Sequence, residues 1–111
     1  MTDRHGIGRA MERTAMDHAA RNGYHACWQP PRGKFTSQDI WGVYDFLMLN
    51  ERGDPVGVQV CLDRPQWVQE RTAVIQAWRR ETHAALPSYV LAYKRRRVNG
   101  VPIIVWHWYP C

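Results

Sequence analysis

Val43-Tyr44-Asp45-Phe46-Leu47-Met48-Leu49 runs into Asn50-Glu51-Arg52-Gly53-Asp54 and emerges as Pro55-Val56-Gly57-Val58-Gln59-Val60-Cys61-Leu62. Two runs crowded with β-branched, aromatic and large aliphatic residues flank a short polar segment containing glycine. This pattern predicts an antiparallel hairpin, with strands over 40–49 and 56–62. A loop of residues 50–54 sets Leu49 against Pro55, and pairing outward from there places Leu47 opposite Gly57 and Asp45 opposite Gln59. Directly opposed residues on one face have Cβ atoms about 4.5–5.5 Å apart, close enough for both side chains to bind one ion or water. A carboxylate within so apolar a strand is costly unless it is ion-bound, hydrogen-bonded or exposed at an edge. Gln59 and then Cys61 extend the polar spot along the same face.

On the N-terminal side, residues 9–22 contain neither Pro nor Gly, and Ile7, Met11, Ala15, His18 and Ala19 recur at helical spacing. A first helix is expected there, stopped by Asn22-Gly23, with a short strand over 24–29. Pro30-Pro31-Arg32-Gly33-Lys34 and the polar residues through Gln38 predict a surface loop with two basic side chains. On the C-terminal side, Asp63-Arg64-Pro65 opens a second helix over 66–83, with Trp67, Val68, Thr72, Ile75 and Trp78 on roughly one side. Leu86-Pro87 closes it. A strand over 89–96, an Asn99-Gly100 turn and a strand over 101–109 complete the chain. The order is αβββαββ, and one α/β domain over 1–111 with a mixed central sheet flanked by helices is the expected fold.

The 111 residues match the size of a single domain. A content of 45% hydrophobic and 23% charged residues excludes a disordered, collagen-like or coiled-coil chain. No apolar run approaches the ~18 residues of a membrane span, and the N-terminus lacks the apolar segment of a secretory signal, so a cytoplasmic location is expected. Cys27, Cys61 and Cys111 are odd in number and lack CxxC spacing, which predicts reduced thiols. Histidines at 5, 18, 25, 83 and 107 show no HxH or HxxxH ligand spacing, so zinc is not expected. A net charge of +5, in which all but two of the fifteen basic residues are Arg, favours a polyanionic partner contacted through bidentate guanidinium groups. Of the six tryptophans most read as core, with stacking on nucleobases as the alternative. Trp106 and Trp108 share a strand face and offer, alternatively, an apolar edge for a homodimer.

Five segments together resemble the PD-(D/E)XK nuclease superfamily, in particular its small phage-encoded and archaeal members of the Holliday-junction-resolvase type. They are a first helix bearing Glu12, the Gly23-Tyr24-His25-Ala26 strand entry, Asp39-Ile40-Trp41-Gly42-Val43-Tyr44-Asp45, the strand Val58-Gln59-Val60-Cys61, and the amphipathic helix that follows. The resemblance covers most of the chain. It implies a restriction-endonuclease-like fold and a Mg²⁺- or Mn²⁺-dependent endonuclease that hydrolyses phosphodiester bonds in structured or branched DNA, in a bacterial or phage-infected cell. Carried over residue by residue, the family's helix glutamate falls on Glu12 and its strand aspartate on Asp45. The acidic position of its triplet falls on Gln59 and the lysine position on Cys61. The implied metal ligands are Glu12, Asp45, Gln59 and the backbone carbonyl of Val60. Six residues of regular strand span ~20 Å, so Asp39 and Asp45 cannot share an ion, and register favours Asp45; Asp39 reads as a turn or strand-start residue.

Two positions depart from the family pattern. Gln59 supplies a neutral amide oxygen in place of a carboxylate, which weakens a site for a hard cation. Cys61 supplies a neutral thiol in place of an ammonium, so either another cation, from among Lys34, Arg64 and Arg71, takes that role or hydrolysis is poor. Arg32, Lys34, Arg64, Arg71 and the run Lys94-Arg95-Arg96-Arg97 are the candidate DNA contacts. The competing expectation is a catalytically impaired module that keeps the nuclease fold and binds nucleic acid or a protein partner. A third is a structural component of a larger assembly, its polar face buried and metal-free.

Overall fold

The computed structural model describes residues 3–30 and 40–111. The elements are α1 (Asp3–Arg21), β1 (His25–Trp28), β2 (Phe46–Leu49), β3 (Pro55–Leu62), α2 (Pro65–Thr82), β4 (Ser88–Val98) and β5 (Val101–Pro110). The expected αβββαββ order is present. The strands form one mixed sheet in the order β1-β2-β3-β4-β5. β1, β2 and β3 make an antiparallel meander, α2 carries the chain across to β4, which lies parallel to β3, and β5 returns antiparallel to β4.

The alternation of side chains along each strand separates two cores. On one face Ala15 and Ala19 of α1 lie against Phe46, Met48, Val56, Val58 and Leu91. On the other, Ile75 of α2 packs with Tyr44, Cys61, Val90 and Ala92, with Trp67, Val68 and Trp78 around them. Pro65 begins α2, where its missing N–H costs nothing, and His83 ends it in a left-handed conformation with φ 57°. Arg79 ties the far end of α2 down, its guanidinium donating to the carbonyls of Leu86 at 2.7 Å and Cys111 at 2.7 Å.

The register deduced from the 50–54 loop holds, with Leu49 paired to Pro55 and Leu47 to Gly57. Asn50 organises that loop: its side-chain oxygen accepts from the amides of Arg52 at 2.9 Å and Asp54 at 3.0 Å. The strand expected over 40–49 begins only at Phe46. Residues 40–44 instead form a tight turn in which the amides of Val43 and Tyr44 both donate to the Ile40 carbonyl, with Trp41 and Gly42 at φ 53° and 71°. Two successive left-handed residues cannot continue a strand. β4 is longer than the expected 89–96, because the Asn99-Gly100 turn, with φ 53° and 79°, lets the ladder run to Val98.

Trp28 and Trp41 are exceptions to the expectation that the tryptophans are core, being 52% and 59% exposed. Trp28 lies on the edge strand β1 beside a register shift, and Trp41 caps the 40–44 turn by stacking on Trp78 at 5.4 Å. Trp106 and Trp108 are covered within the chain, stacked on His18 of α1 at 5.1 and 5.9 Å. Among the described residues no helix is long and apolar enough to cross a membrane.

Candidate active site

The 40–44 turn delivers Asp45 to the mouth of β2, where its amide donates to the Val58 carbonyl at 2.8 Å. The regular pairing stops at Phe46 opposite Val58, so the expected pairing of Asp45 with Gln59 is not part of the ladder; Asp45 shares the Val58 position as a bulge at the strand mouth. Asp45 Oδ2 accepts from the Val60 amide at 2.7 Å, and the Gln59 side-chain amide donates to the Val43 carbonyl. Glu12 arrives from α1. Gln29, just past β1, joins it to the cluster: its Nε2 donates both to Glu12 Oε1 and, at 3.2 Å, to the Asp45 carbonyl. Four segments distant in sequence therefore meet at one end of the sheet.

Glu12 and Asp45 are each 8% exposed and Gln59 is 3% exposed. Carboxylates held this far from water need compensating donors or cations. Gln29 and the Val60 amide supply part of that compensation. Gln29 had no signal in the sequence beyond being polar at the end of a short strand, and only the folded arrangement reveals its place.

Cys61 follows on the same face of β3 and is buried. Burial pushes its thiol up to about 11, and the nearby Arg71 guanidinium pulls the other way without overcoming it. At neutral pH the thiol is protonated, which makes it a poor nucleophile. Arg71 reaches the site from α2 with its guanidinium carbon 6.0 Å from the Trp67 ring centroid, and its Nε is buried without a hydrogen-bond partner among the described residues. Of the cations named as substitutes for the missing lysine, Arg64 and Arg71 are among the described residues, and it is the Arg71 charge that acts on Cys61. Arg64 stands at the N-cap of α2, while Lys34, like Arg32 and Asp39, lies outside the described residues. Lys94, Arg95, Arg96 and Arg97 are exposed on β4, past the end of β3.

No protein-family model, characterised protein or solved structure matches this chain. What the cluster can do follows from its donors. Among the described residues no three His, Cys, Asp or Glu side chains converge as a metal site. A divalent ion here would rest on two carboxylates, Glu12 and Asp45, with the Gln59 amide oxygen and the Val60 carbonyl as neutral oxygens. All four are hard oxygen donors, which suits Mg²⁺ or Mn²⁺, and two negative charges rather than three make for a weak site.

Proposed function

We propose that this chain is a nuclease-fold domain that acts on phosphodiester bonds of DNA, structured or branched DNA in particular, with Mg²⁺ or Mn²⁺. The observation that carries the reading is the burial of Glu12, Asp45 and Gln59 around one end of the sheet, with Gln29 linking Glu12 to the Asp45 backbone and the Asp45 carboxylate accepting from the Val60 amide next to Gln59. The αβββαββ order with a parallel β3–β4 crossover supports a restriction-endonuclease-like arrangement. When bound, the ion would lower the pKa of a water and neutralise charge on the scissile phosphate. The chain's own residues hold and orient. Gln29 fixes the Glu12 carboxylate, the Val60 amide fixes Asp45, and the carbonyl of Val43 fixes the Gln59 amide with its oxygen directed away from that bond. Arg71, whose charge acts on Cys61, would provide the positive charge that the thiol does not, stabilising a phosphate oxygen that gains charge during hydrolysis.

Cleavage of labelled four-way-junction, duplex and single-stranded DNA in Mg²⁺ or Mn²⁺ tests the reading. Junction cleavage that disappears in Asp45→Ala is the expected result, and intact DNA of all three forms under both metals would overturn it. A second reading, a binding module without turnover, is favoured by the same hydrogen bonds, because Glu12, Asp45 and Gln59 each already engage a protein group and Cys61 stays neutral. DNA binding that persists without cleavage is its signature.

A further inference from the structure

The pairing of β3 with β4 ends at Leu62 and Tyr93, but β4 and β5 continue alone through five further rungs, from Lys94 opposite Val105 to Val98 opposite Val101. At about 3.4 Å per residue this two-stranded ribbon projects ~17 Å beyond the sheet. It leaves from the same end of the sheet as Gln59 and Cys61, whose partners on β4 are Val90 and Ala92. Alternation along β4 then puts Lys94 and Arg96 on the face that carries Gln59 and Cys61, and Arg95 and Arg97 on the other. Each cation faces an apolar or proline residue across the ribbon: Lys94 faces Val105, Arg95 faces Ile104, Arg96 faces Ile103 and Arg97 faces Pro102. The tip residues Val98 and Val101 are 49% and 58% exposed.

An isolated ribbon with bare aliphatic side chains calls for a partner, and its charge selects among the candidates. Four cations within five rungs, with no acidic residue between Lys94 and Pro110, repel a second copy of the same ribbon and attract a polyanion. A two-stranded ribbon also fits the major groove of duplex DNA, about 12 Å wide and 8.5 Å deep. Resting on the reading of DNA as substrate, we propose that the β4–β5 ribbon is a groove-entering arm. In this arrangement it seats in the DNA duplex that leads away from the Asp45 site, its arginines on the flanking phosphates and Val98 and Val101 against the groove floor. The arm fixes how far along the duplex the site lies from the bound groove, which makes it an element of positioning as well as affinity.

Fluorescence anisotropy of a labelled duplex with the full chain tests this, using an Arg95→Gln/Arg96→Gln/Arg97→Gln variant and a Val98→Ser/Val101→Ser variant. All five positions are exposed, and an unchanged urea midpoint verifies that each variant is folded. The arginine variant is expected to weaken binding and to flatten the slope of log K against log salt by about 0.9 for each phosphate that it no longer neutralises. The valine variant is expected to weaken binding with the slope unchanged. Parent and variants binding alike would overturn the arm while Asp45-dependent cleavage, if seen, keeps the nuclease reading. Ribbon-dependent binding with no cleavage in either metal would overturn the nuclease reading and keep the arm. No binding by the parent at about 50 mM salt overturns the arm. So does a dimer, detected by light scattering, that the valine substitutions dissociate, since it gives the ribbon to self-association.

Discussion

Gly57 shows how closely single residues are constrained around the site. It sits in β3 beneath the Tyr44 ring, and a Cβ there would lie 2.6 Å from the ring carbon Cδ1, well inside the van der Waals limit. The ring cannot retreat, because its hydroxyl is hydrogen-bonded to Ser88 Oγ at 2.6 Å and its edges meet Trp41 and Trp78. Gly57→Ala is expected to destabilise the fold by about 1–3 kcal/mol, the range for overpacking a filled core, as measured by urea denaturation. Because Tyr44 adjoins Asp45, the same variant should also weaken the proposed cleavage. Arg71 and Cys61 make a second test among single residues. If Arg71 supplies the charge that the nuclease family draws from lysine, Arg71→Ala should lower Mg²⁺-dependent cleavage by about 10²–10⁴-fold. Adding Cys61→Lys to that variant should restore much of the activity, while Cys61→Lys in the parent should gain little, since two cations would then compete for one place. Equal cleavage by parent and Arg71→Ala would show that the charge comes from elsewhere.

Among the elements, the docking of α1 onto the sheet gives a pH-dependent outcome. His18 is stacked on Trp106 and Trp108 of β5, and burial, with a smaller contribution from the Arg21 charge, holds its pKa below the ordinary histidine value. The unfolded chain therefore binds more protons than the folded one at mildly acidic pH. The stabilisation is complete above the unfolded value of about 6.5 and is lost as pH falls through the lower folded value. His18→Phe keeps a ring between the tryptophans and removes the proton, so the urea midpoint of the parent should fall further between pH 7.5 and pH 5 than that of the variant. Parallel decreases would contradict this. How legible such elements were depended on where their determinants lay. The 50–54 loop was readable because Asn50 and Gly53 carry the turn in their own chemistry. The helices were readable because Met11, Ala15 and Ala19, and Ile75 with its neighbours, repeat at the period of the face they bury. The 40–44 turn was not, since Ile-Trp-Gly-Val-Tyr has the composition of a strand and the positive φ of Trp41 is imposed by its stacking on Trp78 and by the Ile40 hydrogen bonds. Asp45 and Gln59 were legible as polar residues in apolar strands, although the ladder stops at Phe46 and does not pair them, whereas Gln29 depends on where three separate segments end and carries no local mark.

For the whole molecule, the sheet separates the buried cores from the proposed site. The central strands and the two helices bury the cores, and the polar cluster, Arg71 and the basic ribbon all gather toward the end where β3 stops and β4 continues. The +5 charge is correspondingly uneven, with Lys94, Arg95, Arg96 and Arg97 on the projecting ribbon. The proposed chemistry depends above all on Glu12, Asp45 and Gln59 together holding a divalent ion. Titration of Mn²⁺ into the metal-free protein, followed by the decrease of the free-ion electron paramagnetic resonance signal, measures that directly. One weak site is expected, retained in Cys61→Ala, abolished in Asp45→Ala and weakened in Glu12→Gln. An undiminished free Mn²⁺ signal at every protein concentration, or binding that Asp45→Ala leaves intact, would contradict a shared ion at these three residues.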